Sequence, residues 1–268
     1  MSIRICIAGV TGWTGSAVAR AVLGSRDFQL SGGLARRRAG EDLGTVLGGA
    51  PLGLAVAPDL DRALATPFDV LVDFTAPDSV KARTLQAMAA GRHVVIGTSG
   101  LTAADYGDLE AAALACGVGL IAAGNFSITA ALAKHFALVA ARYLPSCEVI
   151  DYAHAEKPDA PNGTTLELVE ALGAIRPSAL AVPLDRVHGF PATRGAALAG
   201  TQVHSVRLPS YVIAFETIFG LPHERLTIRH DAGTGADPYV AGVLLAAQKV
   251  VGLKGLVRGL DTLLFREA

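Results

Sequence analysis

The chain has 268 residues, of which 51% are hydrophobic and 18% charged, and its formal net charge is −1. That composition can bury a sizeable core and excludes a disordered polymer. The near-zero charge excludes a basic footprint for nucleic acid. No apolar run reaches the ~20 residues of a membrane-spanning helix, so no membrane partner is expected. The apolar run Ile3–Ala8 gives way at once to a glycine turn, unlike a secretory signal, and a soluble cytoplasmic protein is the expectation. Cys6, Cys116 and Cys147 have no metal-like spacing and read as reduced, small apolar residues; no metal site is expected.

In chain order, Ile3–Ala8 predicts a strand and Thr14–Leu23 a helix. Phe28–Leu34 is a second strand, Leu52–Val56 a weaker third, and Asp59–Ala65 a short helix. Val70–Phe74 is a buried strand followed by the helix Pro77–Ala90. His93–Gly97, Thr102–Ala115 and Val118–Ala122 repeat the strand, helix, strand rhythm. Such alternation predicts an α/β fold with a Rossmann-type parallel sheet. The rhythm changes after Asn125. Ile128–Tyr143 reads as a long apolar helix, Glu148–Tyr152 as a strand and Thr164–Gly173 as a helix. Gln202–Leu208, Tyr211–Phe219 and Arg225–His230 read as strands, and Tyr239–Leu253 as a helix. The pattern predicts a dinucleotide-binding domain over residues 1–125 and a second α/β domain over 126–234. Residues 235–268 are expected to pack back on the first domain.

Gly9-Val10-Thr11-Gly12-Trp13-Thr14-Gly15 lies between the first strand and the first helix. Glycines there let the backbone approach a pyrophosphate, and the helix start offers N–H groups to it. Trp13 either covers the phosphates or only packs. At the end of the second strand no carboxylate stands ready for a ribose hydroxyl. Arg36-Arg37-Arg38 stands there instead, which suits a 2′-phosphate and favours NADPH over NADH unless the run is merely solvated. Phe74 and Thr75, then Gly97, Thr98 and Ser99, then Asn125 and Phe126, follow later strands. They suit a nicotinamide or ribose, or serve as ordinary helix caps.

His154-Ala155-Glu156-Lys157-Pro158-Asp159-Ala160-Pro161-Asn162-Gly163-Thr164-Thr165 combines a proton donor, a cation and a helix start. Asn162 can cap the helix, leaving backbone N–H groups at Gly163 and Thr164 for a carboxylate. Lys157 is the first candidate for proton donor or electrostatic stabiliser. His154 pairs with it only if the chain turns before Pro158; otherwise it is a structural histidine. His204, His223 and His230 lack zinc-like spacing and read as structural or interface residues.

The order GxxGxxG, Asp-Phe-Thr, Gly-Thr-Ser-Gly, Asn-Phe-Ser and Lys-x-Asp-Ala-Pro-Asn-Gly-Thr resembles the dihydrodipicolinate reductase family over nearly the whole chain. The resemblance implies NAD(P)H as hydride donor to a small cyclic imine of lysine biosynthesis. It also implies a C-terminal domain whose open mixed sheet binds substrate and builds a homotetramer; a homodimer is the alternative. It assigns Gly9 to Gly15 to the pyrophosphate and Arg36 and its neighbours to the adenosine ribose or phosphate. Gly97 to Ser99, with Asn125 and Phe126, fall on the nicotinamide side. Lys157 matches the catalytic lysine, and Gly163 and Thr164 the substrate carboxylate site.

Three departures stand beside this. Ala153 occupies the position of the family's usual acid, the first of two adjacent histidines. Arg207-Leu208-Pro209-Ser210-Tyr211-Val212-Ile213-Ala214-Phe215 replaces a Gly- and His-containing turn. Gly233-Thr234-Gly235-Ala236-Asp237 lacks the family's cofactor-contacting arginine. Three functions therefore compete: the lysine-pathway reductase, a related reductase of a less polar cyclic imine, and a non-catalytic NADP-binding protein.

Overall fold

A computed structural model describes residues 2–265. In chain order the elements begin β1 (Ile3–Ala8), α1 (Trp13–Leu23), β2 (Phe28–Leu34), α2 (Leu43–Val46) and α3 (Leu60–Ala63). There follow β3 (Val70–Asp73), α4 (Pro77–Ala89), β4 (His93–Ile96), α5 (Ala103–Cys116), β5 (Gly119–Ala122) and α6 (Ile128–Ala141). The chain continues with β6 (Ser146–Ala153), α7 (Gly163–Ile175), β7 (Ala196–Leu198), β8 (Thr201–Arg207), β9 (Ile213–Leu221) and β10 (Glu224–Asp231). It closes with α8 (Asp237–Val250), β11 (Gly255–Arg258) and α9 (Leu260–Phe265). Two units form: one from the residues up to Ile128 and those from Gly235 on, the other from Thr129–Thr234.

The first unit holds a six-stranded sheet in the order β11-β5-β4-β3-β1-β2, every pair parallel. All residues of β3 and β5 are buried, as strands covered on both faces must be. α4 and α5 lie along one flank, and α8 packs on α1 and β4. Two segments differ from the sequence expectation. Leu52–Val56 is not a strand: its extended residues make only an isolated bridge, Ala55 to Asp42, with Ala57 bridging Leu34. The Asp42 carboxylate explains this, because it accepts the N–H groups of Leu52 and Gly53 that a neighbouring strand would have taken. The last helix stops at Val250, and Gly255–Arg258 then adds a parallel strand beside β5. Four residues between a lysine and a glycine are too few to show a period.

The second unit holds a mixed sheet in the order β10-β9-β6-β8-β7, with β6 and β8 parallel and the other neighbours antiparallel. Alternation along β6 sends Cys147 and Val149 to one face. There they meet Phe215, Phe219, the alanines of α6, and Leu168, Val169 and Leu172 of α7. Ile150 and Tyr152 alternate to the opposite face. β9 starts at Ile213, not Tyr211, because Tyr211 N–H closes a turn on the Leu208 carbonyl at 3.3 Å. Phe219 is fully buried in this core. Phe219→Ala should cost about 3–5 kcal/mol. Chemical denaturation checks it, and an unmoved unfolding transition would contradict the packing.

Candidate active site

The parallel register sets Ala8 beside Asp73, Asp73 beside Ile96 and Ile96 beside Ala122. The turns after β1, β3, β4 and β5 therefore emerge at one level, at the edge where open α/β sheets take ligands. The turn after β1 needs its glycines. Gly9 has φ +80°, and a Cβ there would lie 2.4 Å from the Phe74 carbonyl oxygen. A Cβ on Gly15 would lie 2.2 Å from the Gly9 oxygen. Gly12 caps α1 without a side-chain acceptor, and no acidic side chain occupies the first turn. The helix start is thus open to an anion.

A cleft of about 680 Å³ opens beside this turn. Gly9, Thr11 and Gly12 line it, with Arg36 and Arg37 on one side and Phe74 and Thr75 on another. Arg38 turns away with φ +66° and pairs with Glu41 at 2.8 Å, a bond that holds the Glu41 carboxyl below its usual range. Among the described residues Arg36 and Arg37 have no carboxylate partner, so two cations remain for a ligand. Thr14 and Gly15 belong to the first turn of α1 and do not line the cleft. Neither does Trp13, which is 57% exposed and packs edge-on against Tyr239 at 5.8 Å. The packing alternative is the one the structure displays for Trp13, because the first helical turn points its ring toward α8.

The later loops are held by a buried carboxylate. Asp73 accepts from Thr75 N at 3.0 Å, Thr75 Oγ1 at 2.6 Å and Arg83 Nη1 at 2.7 Å. Thr98 Oγ1 accepts from Thr75 N at 2.9 Å, so its side chain braces the loop. Phe74 meets Phe126 edge-on at 6.0 Å, beside Gly97. Ser99 is exposed, and Asn125 Oδ1 accepts from Ser127 N at 2.8 Å. Asn125 therefore serves as a local turn residue, whatever else it touches.

In the second unit the His154–Thr165 segment hangs on Asp151, which is fully buried. Asp151 accepts from Asn162 Nδ2, from Thr165 Oγ1 at 3.1 Å, from Ser205 Oγ at 2.9 Å and from Arg207 Nη2 at 2.7 Å. Asn162 in turn caps α7 by accepting from Thr165 N at 3.0 Å, which sets Gly163 and Thr164 in the first helical turn. Arg207 also donates to the Asp159 carbonyl at 2.5 Å. Lys157 N bonds the His154 carbonyl at 3.1 Å, so the two candidate residues share one tight turn and the extended alternative does not apply. Lys157 Nζ lies 2.9 Å from Asp159 Oδ1, and His154 is exposed. Ala153 is fully buried and carries no acid.

Two of the remaining histidines, His204 and His230, have partners within this unit. His204 Nε2 lies 2.8 Å from Glu148 Oε2. His230 Nε2 lies 3.1 Å from Thr129 Oγ1, and burial lowers its pKa. His223 occupies the turn between β9 and β10 with φ +70°. Sequence reasoning missed Asp151, Arg207 and Arg83. Their signal is an acidic residue in an apolar strand, with its cation far away in sequence. Removing the Asp151 carboxylate (Asp151→Ala) would leave the Arg207 charge unpaired and should cost about 3–5 kcal/mol. Denaturant unfolding measures it; a change below 1 kcal/mol would show that the pair is not a structural tie.

The glycine-built turn, the open helix start and the two unpaired arginines fit a dinucleotide phosphate. The α7 start beside Lys157 fits a small carboxylate. Among the described residues no cluster of His, Cys, Asp or Glu is arranged to hold a metal ion, and no helix is long and apolar enough to cross a membrane. Comparison with known proteins agrees with that chemistry. The family model for the dihydrodipicolinate reductase N-terminus matches residues 3–126, and that for its C-terminus matches residues 126–264. The chain is 38% identical over 264 residues to the 4-hydroxy-tetrahydrodipicolinate reductase of Desulfitobacterium hafniense, covering 98% of each. It is 39% identical over 266 residues to that of Moorella thermoacetica, again covering 98% of each. Among solved structures, dipicolinate-bound dihydrodipicolinate reductase from Paenisporosarcina sp. TG-14 matches with TM-score 0.82 and 30% identity, over 98% of this chain and 99% of that one. An amine dehydrogenase from Mycobacterium smegmatis shares the fold, with TM-score 0.69 at 17% identity over 97% and 96% of the two chains. The chain belongs to the dihydrodipicolinate reductase family, and it is an NAD(P)H-dependent reductase of C=N bonds.

Proposed function

We propose that the substrate is 4-hydroxy-tetrahydrodipicolinate and that NADPH is the preferred donor. The observation that carries this reading is the α7 start, capped by Asn162 and set one short loop from Lys157. A substrate carboxylate is held there by the first helical turn at Gly163 and Thr164. A dinucleotide held at the Gly9 to Gly15 turn would supply the hydride that reduces the imine. Lys157 holds its ammonium beside the imine nitrogen and gives up a proton as that nitrogen becomes an amine. Asp159, 2.9 Å away, orients the Lys157 ammonium before the transfer. His154, on the same turn and exposed, is the second proton source, in place of the acid that Ala153 lacks. On the dinucleotide side the phosphates take Gly9 to Gly15, the adenosine end takes Arg36 and Arg37, and the nicotinamide end takes Gly97 to Ser99 with Asn125 and Phe126. Trp13 keeps only a packing role beside that turn.

A second reading is favoured by two observations. Ala153 is apolar and buried where the resemblance places an acid, and Arg207 is turned onto Asp151. Both leave the site less polar and suit a cyclic imine with fewer charges. We further propose a cytoplasmic homotetramer or homodimer, since the face of the second sheet that carries Ile150 and Tyr152 has no helix in the core cluster. Light scattering of the purified chain tests this, and a monomer at micromolar concentration would refute it.

Oxidation of NADPH with freshly generated 4-hydroxy-tetrahydrodipicolinate, beside a panel of simple cyclic imines, separates the readings. Turnover of the former alone supports the first substrate; turnover of the panel alone supports the second. Lys157→Ala should lower kcat at least ~100-fold, and an unchanged kcat removes it from the chemistry. Arg36→Ala with Arg37→Ala should weaken NADPH by about tenfold or more and leave NADH within about twofold. Equal weakening of both would refute the 2′-phosphate assignment.

A further inference from the structure

Arg83 lies on α4 and lines the same cleft as the glycine turn, but the chemistry above does not use it. One nitrogen, Nη1, is 2.7 Å from Asp73 Oδ2 and 2.7 Å from Thr75 Oγ1. The Thr75 hydroxyl donates a hydrogen bond to Asp73 Oδ1 at 2.6 Å, so Arg83, Thr75 and Asp73 form a closed ring of hydrogen bonds. Asp73 is fully buried. Its other donors, Thr75 N and Thr98 Oγ1, are neutral, and among the described residues Arg83 is the cation paired with it. The register sets Asp73 beside Ala8, one residue before the phosphate turn, and the Phe74 carbonyl abuts Gly9. An uncompensated negative charge at that point would face the phosphates across low-dielectric protein. Arg36 and Arg37 cannot cancel it, because neither is bonded to Asp73.

We propose that Arg83 is a positioning residue for the dinucleotide. It cancels the Asp73 charge beneath the phosphate turn and fixes Thr75 in the cleft wall, so affinity depends on the Asp73–Arg83 pair and not on Arg83 touching the nucleotide. This deepens the reading of the cleft as the dinucleotide site. It differs from the role given to Arg36 and Arg37, since a shared phosphate environment affects NADPH and NADH alike.

The test is a set of dissociation constants for NADPH and NADH, read by fluorescence on the full chain without substrate. Arg83→Met should weaken both dinucleotides by about tenfold, because it leaves a buried carboxylate without its cation. Arg83→Lys, which keeps the charge, and the double variant Asp73→Asn with Arg83→Met, which removes both charges, should bind within about threefold of the parent. If Arg83→Met binds normally, or if the double variant binds as weakly as Arg83→Met, the proposal is overturned. Should Arg83→Met not fold, the lysine and double variants decide alone: near-parental affinity in both supports the pair, and loss in either overturns it. Thr11→Glu, which sets a carboxylate on the exposed turn, reports separately on the cleft. Unchanged affinity there would refute the dinucleotide site itself, whatever the Arg83 variants show.

Discussion

In each unit a fully buried carboxylate at or near the carboxyl end of a strand organises the loops beside it. Asp73 at the end of β3 and Asp151 in β6 are both fully buried. An ionised carboxylate out of water is costly unless charge and hydrogen bonds meet it. Each meets that demand with one arginine and a set of short hydroxyl or amide donors. Asp73 draws in Thr75, Thr98 and Arg83; Asp151 draws in Asn162, Thr165, Ser205 and Arg207. The turns beside them thus acquire fixed geometry from side chains, although their own backbone is irregular.

This division sorts the cations. Arg83 and Arg207 are committed to buried acids, and Arg38 to Glu41. Arg36 and Arg37 have no carboxylate partner among the described residues and face the cleft. Lys157 stands between these cases: its partner Asp159 is about half exposed, so the pair is solvent-screened and the ammonium keeps donors for a substrate. A ligand meets cations the fold has left available, and charge alone would have ranked all of them equally. Ala153, where the resemblance places an acid, is one of the three departures of this chain. The turn from His154 to Lys157 follows directly, closed by the Lys157 N–H on the His154 carbonyl.

Much of the architecture was legible because long-range order repeats local patterns. The βαβ rhythm of the first unit, the glycine turn and the Asn162 cap each have a local physical cause: buried runs, φ above zero, an amide at a helix start. What escaped had no local signature. β11 is four residues long and exists because β5 offers it a free edge. Leu52–Val56 has strand-like residues, but Asp42, ten residues earlier, takes its backbone donors. Sequence leaves Trp13 either covering the phosphates or packing, and its packing partner Tyr239 lies more than two hundred residues away.

The sequence by itself determined the fold class, the glycine turn after β1, the capped start of α7 and the family, because these rest on residue types at fixed short spacings. Tertiary structure alone decided which arginines are available, which threonine hydroxyls are already bonded, and that His154 and Lys157 share one turn. Those outcomes depend on pairings such as Asp73 with Arg83 and Asp151 with Arg207, ten and fifty-six residues apart. A buried charge selects its partner by distance in space, and no periodicity along the chain records that choice.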